Sequence, residues 1–262
     1  MTKPTPRIGL IVPASNTAAE VQFQRYAPAG VGVHTTRLRM TGRWSRPLHE
    51  LADDITEAAA ALSDTSPGVI VFHCTANSMA EGQDGEARIL ELVEKAGGCR
   101  ALTTGLAVKE ALAQLQLKKL VLISPYVKAT NAHESKFLGE AGYEVIHDLG
   151  LGLTGGGDEY LRITPREWTN LTVENRRPDA DGYFLSCTAT SMIDAIEDVE
   201  RRLDRPVVNS NQAVLWAALR RLEITEPIAG LGRLFSADGG ANQPGHTSPT
   251  AVRARRSVES SR

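Results

Sequence analysis

The feature that most constrains how this chain can fold is that its sequence echoes itself. In the first half IGLIVPASNT is followed by GVIVFHCTANSM, and in the second LVLISPYVKATN is followed by GYFLSCTATSM. Each pair opens on an apolar run that ends at a proline, Pro13 or Pro125. Each closes on a second apolar run that ends in Cys-Thr-Ala, at Cys74 or Cys187. The proline and cysteine are 61 residues apart in the first copy and 62 in the second. A repeated sequence folds into a repeated supersecondary unit. Two similar halves are therefore expected, residues 1–103 carrying Cys74 and 104–235 carrying Cys187, with the last helix free to pack back on the first half.

The class of each half follows from what lies between these landmarks. Short β-branched runs read as strands at Ile8–Val12, Val31–Leu38, Val69–Phe72, Leu120–Ile123, Tyr143–Asp148, Gly182–Leu185 and Pro206–Val208. Amphipathic segments between them read as helices at Leu48–Leu62, Ala87–Lys95, Leu106–Leu115, Ala129–Glu140, Pro165–Arg176, Met192–Leu203 and Gln212–Leu222. Continuous apolar strands alternating with helices are the pattern of parallel sheets covered on both faces. The expected fold is α/β, with a parallel sheet in each half and a site between the halves. From Ser236 to Arg262 the chain is rich in Ser, Gly, Pro and Arg without apolar periodicity, which predicts a disordered tail.

Charge and cysteine usage narrow the function classes. The formal net charge is −2 and no large basic block lies in the folded region, which speaks against nucleic-acid binding. No apolar run approaches the roughly 18 residues of a membrane span, and the N-terminus lacks the pattern of a signal peptide. Three cysteines are too few for a disulfide framework and suit free thiols in a reducing cytoplasm. The six histidines show no metal-ligand spacing. A literal G-x-G-x-x-G at Gly150, Gly152 and Gly155 is followed by more glycine rather than by a helix, so it reads as a crevice loop and not a dinucleotide fingerprint.

A lone cysteine is usually core filler, and Cys99 is read that way. Cys74 and Cys187 are different, because ligands gather at the carboxyl ends of strands in open α/β sheets. The small polar residues after each cysteine suit a turn whose N–H groups face the crevice, where they lower a thiol's pKa and bind carboxylates. The proline turns supply the other walls: Ser15 and Asn16 after the first strand and Tyr126 after its counterpart. Asn16 can donate two hydrogen bonds to a carboxylate and Tyr126 one, although Asn16 equally suits a helix N-cap near Thr17.

The segments GLIVPASN, FHCTANSM, ISPY and LSCTATSMIDAIEDVERRLDRPVVNSNQAVLW resemble the maleate isomerase and arylmalonate decarboxylase branch of the aspartate/glutamate racemase superfamily. The likeness runs from Ile8 to Leu234 and is most specific from Leu185 to Trp216. It implies pseudo-symmetric α/β halves, a cofactor-independent site between them, a homo-oligomer and a small carboxylate substrate. Racemases of the superfamily use two cysteines as opposed acid and base, and maleate isomerases keep both, one adding to the double bond. Arylmalonate decarboxylases keep only the second, with glycine at the first. The decarboxylase pocket residues align with Thr75, Ala76 and Tyr126, so its serine is missing here, and Thr188 replaces its glycine. Asn16 and Tyr126 match maleate isomerase. Thr75-Ala76-Asn77-Ser78 departs from its apolar residues after the first cysteine, and the 151–155 loop lacks its asparagine.

These readings predict cis–trans isomerisation of a maleate-like dicarboxylate, with Cys74 adding to the double bond and Cys187 handling the proton next to it. Asn16, Ser15, Thr75, Tyr126 and Thr188 would hold the carboxylates. The alternatives are a two-cysteine racemase of an amino acid, hydantoin or 2-aryl acid, a decarboxylase of disubstituted malonates using Cys187, and a non-enzymatic carboxylate-binding protein.

Overall fold

The structure, a computed structural model, describes residues 5–42, 45–155 and 158–236. The expected tail lies outside the described residues apart from Ser236. Strands β1 (Arg7–Pro13), β2 (Gly32–Leu38), β3 (Val69–Phe72) and β4 (Arg100–Thr103) form one parallel sheet in the order β2-β1-β3-β4. Strands β5 (Lys119–Ser124), β6 (Glu144–Gly150), β7 (Gly182–Leu185) and β8 (Val207–Asn209) form a second in the order β6-β5-β7-β8. Numbered within its own half, each sheet has the order 2-1-3-4, so the echo in the sequence is an echo in topology. The cysteines follow β3 and β7, interior strands whose residues are all buried. Both are continuous apolar runs, as strands covered on two faces must be.

Ten helices occur among the described residues: α1 (Ala19–Tyr26), α2 (Leu48–Ser63), α3 (Thr75–Met79), α4 (Gly82–Gly97), α5 (Thr104–Gln114), α6 (Lys128–Glu140), α7 (Pro165–Glu174), α8 (Ile196–Leu203), α9 (Ser210–Arg221) and α10 (Gly232–Ser236). Their ends carry recognisable signals. Thr164 and Glu167 form a capping box on α7, with Pro165 at its first position, and Asn209 and Gln212 form one on α9. Gly98, left-handed at φ 62°, ends α4. No described helix is long and apolar enough to cross a membrane.

The helix α9 is buried over ten consecutive residues, Ser210 to Leu219, because it lies between the sheets. It follows β8 yet packs on β3, β4 and α5, while α5 follows β4 and reaches β8. The helix that follows the last strand of each sheet thus reaches the other sheet. One apolar core runs through both halves, and a smaller one lies under α2 and α4 on the outer face of the first sheet. Burying a large apolar side chain is worth about 1.5–3 kcal/mol, so this shared core holds the two cysteine turns in fixed register.

Candidate active site

Both cysteines stand two residues past the last strand residue, on chain that has left the ladder and turned. Cys74 keeps an extended backbone (φ −151°, ψ 114°) and caps α3. The N–H groups of Ala76 and Asn77 face its sulfur, and its thiol donates to Asn77 Oδ1 at 3.2 Å. The Asn77 NH2 is committed to the Met40 carbonyl at 3.1 Å, so it is the amide oxygen that meets the thiol. At the other turn the Cys187 sulfur accepts from the Ala189 N–H at 3.3 Å, and the Thr188 N–H and the Tyr126 hydroxyl stand near enough to favour its charge.

The two turns share one cavity of about 630 Å³. Cys74, Cys187, Ser15, Asn16, Tyr126 and Thr188 all line it. Among the described residues the remaining wall is mostly small, polar at Thr41, Ser45, Asn77, Thr130 and Thr154 and apolar at Pro13, Ala76 and Ala189, with Tyr160 beside Tyr126. The two phenol rings meet edge to face, centroids 6.0 Å apart. Thr154 and Gly155 are brought to the rim by a loop that runs along Ser124–Tyr126, through Leu151 N–H to Ser124 O, Gly152 N–H to Tyr126 O and Leu153 N–H to Pro125 O. The close approach needs glycine at 150, where a Cβ would lie 2.5 Å from the Tyr126 carbonyl oxygen. No helix opens at these glycines; the next is a single 3-10 turn at Tyr160–Arg162.

Several expectations change in detail. Thr75 lies outside the cavity wall: as the first residue of α3 it turns inward and donates to Ser210 Oγ at 2.9 Å. Ser210 also accepts the Cys187 N–H at 3.1 Å, so one buried hydroxyl ties the two cysteine turns together. Asn16 reaches the cavity, but its NH2 donates to Thr188 O and Oγ1, both at 3.1 Å. Its Oδ1 accepts from Ala18 and Ala19 N–H, the capping arrangement at the start of α1. Arg37 holds the same loop through the carbonyls of Ala14 and Asn16 and an ion pair with Glu20. The thiols also differ from the lowered pKa expected of them. Burial outweighs the surrounding donors and pushes both Cys74 and Cys187 up to about 12. Cys99 lies outside the cavity, half-buried, with its sulfur near the Arg100 carbonyl.

Two buried groups behind the cavity were not singled out by the sequence. His73 is fully buried, its ring hydrogen-bonded to Thr104 Oγ1 at 3.1 Å and Asn211 Oδ1 at 2.9 Å. Burial pushes it down to about 4, so it is neutral at pH 7. Asn211 passes the network on to Gln22 and to the Thr188 carbonyl, linking the halves again. Glu134 on α6 is fully buried, and neither carboxyl oxygen makes a full hydrogen bond. Ser186 stands near enough to favour its charge, yet desolvation dominates and pushes the carboxyl up to about 8. A signal for Asn77 was present, since a residue three positions after a helix cap faces back towards it. Tyr160 and Glu134 had none, one lying beyond a glycine loop and the other in a helix segment, HESKF, that reads as solvated.

This arrangement can do acid–base or nucleophilic sulfur chemistry on a small anion held between two sets of backbone N–H groups. The arylmalonate decarboxylase family profile matches residues 8–235. The maleate isomerase of Geobacillus stearothermophilus is 26% identical over 88% of this chain and 97% of its own. The arylmalonate decarboxylase of Bordetella bronchiseptica is 28% identical over the same shares. A solved structure of unliganded arylmalonate decarboxylase, 28% identical, superposes with a TM-score of 0.77 over 88% of this chain and 99% of that one. A profile match across both halves, with named relatives aligned over nearly their whole length, leads to one conclusion: the chain belongs to the arylmalonate decarboxylase family, within the branch of the aspartate/glutamate racemase superfamily that also holds the maleate isomerases.

Proposed function

We propose that this protein is a cofactor-independent cis–trans isomerase of a maleate-like dicarboxylate, working through Cys74 and Cys187. The observation that carries the reading is the pairing of two buried thiols, each with its own pair of backbone N–H donors, on one cavity. A single-thiol decarboxylation needs only one of them. The described wall carries many hydroxyl and amide groups and no large aliphatic side chain, which suits a compact polar substrate. The likeness to a maleate isomerase across both halves points the same way.

In this reaction one sulfur adds to the double bond and the electron pair moves to the neighbouring carbon, beside a carboxylate. The other thiol protonates that carbon. Rotation about the new single bond brings the other hydrogen of that carbon to the same thiol, and its removal with loss of the sulfur gives the trans isomer. The backbone N–H groups of both turns, with the Thr188 and Tyr126 hydroxyls, hold the carboxylates and the enolate charge. Proton NMR of the protein with maleate in deuterated water tests the reading: fumarate is the expected product, and unchanged maleate at catalytic protein concentration overturns it. A two-base racemase is the second reading, favoured by the same pair of thiols. It would exchange the α-hydrogen of a chiral acid for deuterium without forming a carbon–sulfur bond.

A further inference from the structure

The two cysteine turns are near copies in sequence, Cys74-Thr75-Ala76-Asn77-Ser78 and Cys187-Thr188-Ala189-Thr190-Ser191, but their backbones are held in different ways. After Cys74 the chain enters α3 at once and closes the turn from within. The Ser78 N–H donates to the Cys74 carbonyl and the Ser78 hydroxyl to the Thr75 carbonyl, both at 3.0 Å. After Cys187 no helix forms until the 3-10 turn at Met192–Ala195. The carbonyls of Thr188 and Thr190 are met by side-chain amides instead. Thr188 O accepts from the Asn16 and Asn211 NH2 groups, both at 3.1 Å, and Thr190 O from the Gln22 NH2 at 2.7 Å. Asn16 lies just before α1 and Gln22 within it, so the second cysteine turn is held by the other half.

The amides point this way because their remaining atoms are committed. The Asn211 NH2 also donates to Gln22 Oε1, which leaves Asn211 Oδ1 to accept from His73 Nε2 at 2.9 Å. His73 is neutral at pH 7, so Nε2 carries the ring hydrogen and Nδ1 accepts from the Thr104 hydroxyl at 3.1 Å. One directed chain thus runs from Thr104 through His73, Asn211 and Gln22 to Thr190, with a branch at Asn211 to Thr188. In a trans peptide the C=O and the following N–H point to opposite sides. Drawing the Thr188 carbonyl into this network turns the Ala189 N–H the other way, where it meets the Cys187 sulfur on the cavity wall.

We propose that Gln22, His73 and Asn211 are positioning residues that aim the backbone N–H groups of the 187–190 turn at a substrate carboxylate. This rests on the carboxylate site of the isomerase reading and goes beyond it, since none of the three lines the cavity. The repeat shows that the device has no counterpart at the other turn. Gln22 and Glu134 each lie nine residues past their proline, His73 and Ser186 each precede their cysteine, and Asn211 and Gly105 are each the second residue of their helix. Where the second turn is served by a donor amide, a donor ring and a bridging amide, the helical turn has a carboxyl, a hydroxyl and no side chain.

The test reads binding and needs no turnover. The full-length protein, isotopically labelled for amide NMR, is titrated with succinate, the saturated analogue of maleate. In the wild type the Ala189 amide resonance moves on binding. His73→Leu, which removes the ring N–H, and Gln22→Met, which removes the amide at nearly constant shape, each weaken succinate binding about tenfold, the effect of one lost hydrogen bond. His73→Gln supplies an N–H in the same place and binds within about threefold of wild type. Both damaging variants shift the 188–190 amides more than the 75–77 amides, although His73 adjoins Cys74; simple loss of packing at His73 would do the reverse. If His73→Leu does not fold, Gln22→Met carries both readings alone. An Ala189 amide indifferent to succinate, an affinity unchanged by the damaging variants, or shifts confined to 75–77 overturns the assignment. Succinate has no double bond to isomerise, so the result stands even in a protein that leaves maleate unchanged, and failure here and failure of the isomerase reading are separate outcomes.

Discussion

Replacing Glu134 by glutamine should change how stability depends on pH, by an amount that follows from the burial of one carboxyl. In the folded protein both oxygens lie in the interior without full hydrogen bonds, and the group ionises near pH 8 instead of at its ordinary 4.5. The folded pKa is raised, so the contribution is fully present below 4.5 and is lost as pH rises through 8. Across that interval the unfolded chain gives up the proton while the folded chain keeps it. At about 1.4 kcal/mol per pH unit, the native state loses about 5 kcal/mol relative to its position at pH 4.5. Glutamine has no such ionisation. The stability difference between variant and wild type should therefore swing by about 5 kcal/mol in the variant's favour from pH 4.5 to pH 8.5. Urea denaturation with demonstrated reversibility, repeated at half-unit pH steps, measures the difference directly, and all other groups cancel in it. A difference that stays flat within 1 kcal/mol would mean that Glu134 ionises normally, hence that water or a rotated Ser186 solvates it and the desolvation argument is wrong.

The thiols and their supports give further expectations. Serine at either Cys74 or Cys187 should lower turnover on the order of 10³-fold with unchanged circular dichroism, measured by the NMR assay. With both thiols pushed up to about 12, kcat/KM should rise close to tenfold per pH unit from pH 7 to 8 and then more shallowly, as ionised Glu134 holds the sulfurs protonated; Glu134→Gln should keep the rise steep. His73, held down to about 4 from an ordinary 6.5, stabilises the fold above pH 6.5 and loses about 3 kcal/mol as pH falls to 4. His73→Gln should remove that acid dependence in the same denaturation series. Ser210→Ala strands the buried Cys187 N–H and should cost about 1–3 kcal/mol, read from the denaturation midpoint.

What was legible in sequence and what was not divides along physical lines. The strands β3 and β7 could be read because strands buried on both faces are uninterrupted apolar runs, VIVF and GYFL. The strand β4 was missing from the expected set because its sequence, RALT, begins exposed at the sheet edge and carries one large apolar residue. Helix α1 buries only Ala19, Gln22 and Phe23 of its eight residues, too sparse a stripe to show a period. At the site, the repeat pointed to both cysteines and to the proline turns, since those depend on backbone position. Side-chain direction was beyond it: Thr75 and Asn77 differ by two positions on one turn, and that spacing sends one to Ser210 and the other to the Cys74 thiol. Glu134 was hidden for a related reason, because a carboxyl flanked by His133, Ser135 and Lys136 looks like surface until the packing of α6 is known.

A duplicated scaffold supplies two equivalent sulfurs, yet the proposed reaction needs them inequivalent at every instant. One must be charged while the other holds a proton, and they must exchange that state with the substrate carbon twice per turnover. Perfect symmetry would leave the single charge shared between two degenerate forms, only one of which has the attacking sulfur on a given substrate carbon. A fixed preference removes the unproductive form, and the repeat can acquire it without moving either backbone turn. Substitution at two places is enough: an acceptor added at Asn77 on one side and a donor added at Tyr126 on the other. Both reach the sulfur from within the cavity wall, and both are anchored by contacts that do not involve substrate, Asn77 on the Met40 carbonyl and Tyr126 through its N–H on Ser124 Oγ. The two sulfurs therefore meet different side chains in the free protein, and Asn77→Thr combined with Tyr126→Phe should remove that difference. In that double variant iodoacetamide should label the two cysteines, followed by peptide mass spectrometry, at rates within about threefold of each other while the fold, carried by the shared core, persists.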